Sequence, residues 1–212
     1  MRRSACIINI IAPLIILLLI RCEGIFVPDP IDPRLPKYTE EGNNVAGAFI
    51  NGEIWKSVLT YNTNEPEIVL YDRKDSLSIM FEGQSSVYST LEFRLSHLDI
   101  HSFDDLILLK NRKIKLDGLL NNAVCLQNRW DTHDFNSEDP NNFGTRGIGQ
   151  LYIRNVIMNN SLSVAILSGT FGFSIHDSVN GNKDVSYGRF DFRFSKNSNF
   201  RIEDNNKVDQ NK

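Results

Sequence analysis

The chain has 212 residues, 41% of them hydrophobic and 23% charged, with a net charge of −3. This is the balance of an ordinary globular chain with a sizeable core, enough for one domain with a tether. The excess of acid excludes a nucleic-acid binder, which needs basic density against phosphate. The first 21 residues read as a secretory signal: Arg2 and Arg3 open it, and Cys6 to Ile20 is apolar apart from Asn9 and Pro13. That run is shorter than the roughly 20 apolar residues of a bilayer-spanning helix; an uncleaved N-terminal anchor is the alternative. Removing 1–21 takes three of the 23 basic residues and no acid, which leaves the mature chain at −6.

Cys22 follows this run in the stretch LLLIRC. It resembles the lipobox of bacterial lipoproteins, in which a signal peptidase cuts before a cysteine that carries diacylglycerol. Leu19 stands where the pattern has leucine, whereas Arg21 departs from the small residue usual before the cysteine. Lipidation at Cys22 implies a membrane anchor, because two or more acyl chains hold stably where one does not. PDPIDPRLP, residues 28–36, holds four of the seven prolines. Such a segment stays extended and out of sheet interiors, so residues 22–43 read as a lipidated, proline-rich tether, with a plain N-terminal loop as the alternative. Cys125, in NNAVCLQN, reads as a small buried hydrophobe.

Residues 44–195 read as a single β-domain. Asn51-Gly52 between two apolar-rich runs is a type I′ hairpin signal. EIVLYD (67–72) and SLSIMFE (76–82) follow as strands. In VYSTLEFRLSHL, Leu91, Phe93 and Leu95 alternate with Glu92, Arg94 and Ser96, a strand with one wet face. Residues 101–110 allow a short helix or a connector into RKIKLDG and NNAVCLQ. GQLYIRNVIM and SLSVAILSGTFGFSIHD are two long strands, the second with Phe171, Phe173 and Ile175 on one face. In YGRFDFRFS, Phe190, Phe192 and Phe194 share a core face, and Arg189, Asp191 and Arg193 share the other, read as a solvated ladder of exposed ion pairs. Residues 196–212 read as a polar tail that frays. The whole predicts an all-β fold, an antiparallel β-sandwich or flattened β-barrel of roughly nine or ten strands.

Three segments carry a family resemblance: residues 35–57 with Phe49, Asn51-Gly52 and Trp55; GQLYI with LSGTFGFSI; and GRFDFRF, 188–194. Together they resemble a family of small lipoproteins from Bacteroidota with an N-G opening hairpin, a SGTF strand and a closing GRFD strand. The resemblance spans both ends of the mature chain; residues 67–148 match only as a run of strands. It implies an all-β fold and a lipid-anchored place in the bacterial cell envelope, at the outer membrane. It implies no activity and carries over no catalytic residue.

The one polar cluster is NRWDTHDFNSEDPNNFGTRG, residues 128–147. Long loops carry function disproportionately, and here Trp130, His133, Asp134 and Arg146 are candidates for holding a ligand, a sugar on the indole above all. A solvated loop with Trp130 folded back on the sheet is the alternative. The spacing fits neither a calcium loop nor a zinc site, and no cofactor, metal or catalytic residue is implied. His97 and His101 share a face on either a strand or a helix. The expected function is a lipid-anchored binding module, with the membrane as one partner and a glycan, a peptide or an envelope protein as the other. A small carboxylate-dependent hydrolase and a structural accessory without a small ligand are the alternatives.

Overall fold

The computed structural model describes residues 32–57, 66–71, 75–85, 88–118, 122–128, 147–176 and 181–203. One unit spans Asp32–Lys212; a separate one, Met1–Ile31, lies outside the described residues. The strands are β1 (Val45–Ile50), β2 (Glu53–Ser57), β3 (Glu67–Tyr71), β4 (Ser76–Gln84), β5 (Tyr88–Ser96), β6 (Arg112–Asp117), β7 (Asn122–Asn128), β8 (Gly147–Asn159), β9 (Val164–Ile175), β10 (Lys183–Ser195) and β11 (Phe200–Ile202). The ambiguous segment after β5 contains a 3-10 helix, Asp104–Leu109, which buries Leu106 and Leu109. Among the described residues no helix is long and apolar enough to cross a membrane.

The fold is all-β. Among the described residues one mixed sheet of 11 strands runs β11-β3-β4-β2-β1-β10-β9-β8-β6, with β5 on β4 and β7 on β5. Every pair is antiparallel except β11 with β3, which is parallel. The sheet curls at β4. Residues Ser76–Met80 pair with β3, whereas Gly83 and Gln84 pair with Ser57 and Lys56 of β2. At that corner the ring of Trp55 lies against Gly83: a Cβ there would sit 2.3 Å from the indole. Glycine in a strand often marks such a close approach. The predicted Asn51-Gly52 turn is present, with φ of 50° and 83°, and Ile50 pairs with Glu53.

Curling brings a narrow wing (β11, β3, β4, β5, β7) over a broad one (β2, β1, β10, β9, β8, β6). Phenylalanines fill the space between them. Phe81 of β4 meets Phe190 and Phe192 of β10 at 5.1 and 4.7 Å between ring centres. Phe93 of β5 meets Phe171 of β9 at 5.4 Å. These residues alternate with outward ones, so the period of two in the sequence directly builds this layer.

Four expectations are corrected. Residues 32–43, assigned above to the tether, pack on the broad wing: Leu35 is buried, and Pro36 occupies the space a Cβ on Gly47 would need. The tail is not all frayed, because Phe200–Ile202 adds β11 beside β3 and the Phe200 ring meets Phe103 at 5.1 Å. The folded unit is therefore wider than 44–195 at both ends. Asp191 and Arg189 are not exposed rungs; both are buried. Glu92, read as facing water, is also buried, accepting from Ser78 Oγ at 2.7 Å and from Arg94 Nε at 2.6 Å.

Candidate functional site

The outer face of the broad wing is divided in two by the segment that precedes β1. Its N-terminal half is covered. Asp191 of β10 points outward beneath residues 39–43 and accepts from Thr39 Oγ1 (2.5 Å), from the backbone N–H groups of Glu41, Gly42 and Asn43 (3.2, 2.8 and 3.1 Å) and from Ser168 Oγ (2.9 Å). Burial pushes the carboxyl of Asp191 up, but the hydrogen bonds from Thr39, Asn43, Gly42 and Ser168 outweigh it and leave it below the ordinary carboxylate value. Beside it Glu40 accepts from Tyr38 Oη and Asn155 Nδ2, both at 2.8 Å, and pairs with Arg154 at 3.2 Å. A bulge between Ile153 and Asn155 in β8 presents two consecutive residues to that one carboxylate. Burial and the bond to Glu40 push the Tyr38 hydroxyl far up.

The other half of the face is open. Alternation puts Lys113, Tyr152, Thr170 and Arg189 in one cross-strand row from β6 to β10. The next row holds Lys115, Gln150 and Gly172, then a bulge: Ser186 and Tyr187 of β10 lie opposite the single Gly172 of β9. The bulge turns Tyr187 outward. It is 60% exposed and has φ of 53°, a left-handed backbone that a bulky side chain adopts at a cost of about 1–2 kcal/mol. Arg189 Nε donates to the Tyr187 carbonyl at 3.2 Å. Phe49 of β1 meets the tyrosine edge-on at 6.1 Å, and the Arg34 guanidinium covers Phe49 at 5.2 Å. Arg34 is held by Asp32, whose carboxyl it draws down to about 2. Across the floor, a Cβ on Gly172 would meet, among the described residues, only the Val185 carbonyl, at an ordinary contact distance of 3.4 Å.

None of the residues singled out for a ligand or for lipid, Trp130, His133, Asp134, Arg146 and Cys22, falls within the described residues. His97 and His101 do, and the face they share in the sequence is lost: His97 and Asp99 both have positive φ. Each ring stands by its own aspartate, His97 at 3.8 Å from Asp75 and His101 at 3.2 Å from Asp99. Cys125 is buried, as expected of a small hydrophobe.

No family model, curated protein or solved structure matches the chain.

Sequence reasoning missed Tyr187, although a signal was present. Val185 and Phe190 are both apolar and both point inward, yet stand an odd number of residues apart. A strict period of two cannot join them, so a bulge must fall between. Strain held at a bulge marks a place the surrounding structure over-determines. Replacing Tyr187 with glycine is expected to leave stability unchanged or raise it by about 1 kcal/mol, since glycine accepts positive φ. Urea denaturation checks this; a clear loss would show that the ring, not the backbone, carries the stability here.

Proposed function

We propose that the protein is a non-catalytic binding module, anchored in the bacterial cell envelope through lipid on Cys22, and that the open half of the broad wing takes a glycan. The observation that carries the reading is Tyr187: exposed, strained, and backed by Phe49 and Arg34. An exposed aromatic ring offers an apolar body with a polar tip, suited to a partly wet ligand such as a sugar. Gln150, Thr170 and Ser174 lie on the same face as hydrogen-bonding groups for hydroxyls. The anchor is supported by the Leu19–Cys22 lipobox likeness and the resemblance to small Bacteroidota lipoproteins.

Two experiments separate the parts. A glycan array with the purified full chain, repeated with Tyr187→Gly, is expected to give binding that the variant loses while keeping its fold. Binding indifferent to Tyr187, or none at all, removes the sugar reading and favours a structural accessory. For the anchor, Cys22→Ser is expected to move the protein out of the membrane fraction; unchanged retention would exclude lipid at that cysteine.

A further inference from the structure

We infer that the glycan taken by this face is an acidic one, a polysaccharide of uronate sugars; the inference rests on the glycan reading above and names its chemical class. The mature chain carries an acidic excess, yet the two rows that form the open face are basic. Lys113, Tyr152, Thr170 and Arg189 occupy one row and Lys115, Gln150, Gly172, Ser186 and Tyr187 the other. Lys113 and Lys115 are exposed cations, Arg189 is a buried one beside them, and none of these residues is a carboxylate. The next row bounds the band with Asp117 and Asp184, and Asp184 is already engaged by Ser174 Oγ at 2.6 Å.

The arrangement also has a length. Tyr187 on β10 and the lysines on β6 are three strand intervals apart, about 14 Å of sheet. Gly172 lies in between and, having no side chain, raises no wall there. One sugar ring over Tyr187 therefore leaves room for a second above the glycine, reaching toward β6. A uronate carboxylate is attached directly to the sugar ring at its edge, so a ring lying flat on the sheet directs it sideways, along the face. Lys113 and Lys115 stand there, both exposed. Lys113 is held in advance, its Nζ 5.4 Å from the centre of the Tyr152 ring, and a pre-ordered side chain loses less freedom on binding. Tyr152 is itself fixed by donating to Asn111 Oδ1 at 2.6 Å. Lysines on an edge strand also discourage strand-to-strand aggregation, but that role needs neither the tyrosine brace nor the glycine floor.

The test compares three probes on the full chain by calorimetry: polygalacturonate, the same polymer fully methyl-esterified, and dextran sulfate. Polygalacturonate is expected to bind, more weakly as salt rises, and the ester to bind roughly tenfold less well. Lys115→Glu should weaken polygalacturonate binding by a similar factor, roughly tenfold. Lys110→Glu, the same charge change at the C-cap of the 3-10 helix and outside both rows, should leave it unchanged. Equal binding of acid and ester overturns the acidic class but keeps the glycan reading. Binding of dextran sulfate without polygalacturonate overturns the uronate assignment. A Lys110 effect equal to that of Lys115 overturns the site. Absence of binding to every probe and on the array removes both readings together.

Discussion

Phe81→Ala is expected to be among the most damaging single substitutions in this protein, with a loss of about 3–5 kcal/mol. Phe81 is 1% exposed and sits where β4 turns from one wing toward the other. Its ring touches Phe93 on its own wing at 6.0 Å and Phe190 and Phe192 on the opposite one at 5.1 and 4.7 Å. Truncation removes buried apolar surface and leaves a cavity that three other rings must line. Those rings are held in alternate positions of long antiparallel strands and cannot collapse into the gap without shifting backbone. Domains of this size are stable by about 5–15 kcal/mol, so the variant loses a large share of its margin. Phe81→Leu, which keeps most of the volume, should lose much less. Urea titration of the three proteins checks the order; a loss below about 1 kcal/mol for the alanine variant would mean that the two wings are not held together through this ring.

Asp191→Ala should lose about 3 kcal/mol by a different route. Five donors converge on this carboxylate, three of them backbone N–H groups of successive residues. Removing the acceptor leaves Ser168 Oγ without it beneath residues 39–43, and frees those residues to rehydrate and lift from the sheet. Asp191→Asn keeps the shape but turns one acceptor into a donor among donors, for a loss of about 2 kcal/mol. The pH dependence has a definite sign. The carboxyl is lowered in the folded protein, so its contribution is complete above the unfolded value of about 4 and disappears as pH falls through the folded value. The gap in stability between wild type and Asp191→Asn should therefore be constant from pH 7 to 5 and shrink below about pH 4. A gap that does not change with pH would mean that the charge of Asp191 is not what holds the segment.

These two residues also show what the sequence could and could not reveal. Phe81 follows from patterning: it alternates in register with its neighbours, and local period alone assigns it to the core. Asp191 alternates equally well, which correctly puts it opposite the phenylalanines. But alternation names a face without saying what lies over it. The cover comes from residues 39–43, almost 150 positions away in the chain, and no local rule reaches that far. The prolines before it had a similar fate: they keep residues 32–36 out of the sheet, as expected, and the segment lies on the sheet instead. β11 escaped notice because three residues inside a polar tail carry no period, and because their partner, β3, is also far away in the chain, with Phe200 opposite Ile68. Tyr187 falls between these cases. The broken phase from Val185 to Phe190 was readable, while the outward turn of the ring required the bulge to be seen.

The way the chain enters its fold has a mechanical consequence. Tension applied to residues before Asp32 does not arrive at the end of an edge strand, where a sheet can be unzipped one bond at a time. It arrives at Asp191, in a strand flanked by β1 and β9, through several bonds that share the load at once. Strands gripped from both sides resist being drawn out. A protein pulled by its N-terminus would first shed residues 32–44 and keep its phenylalanine layer shut.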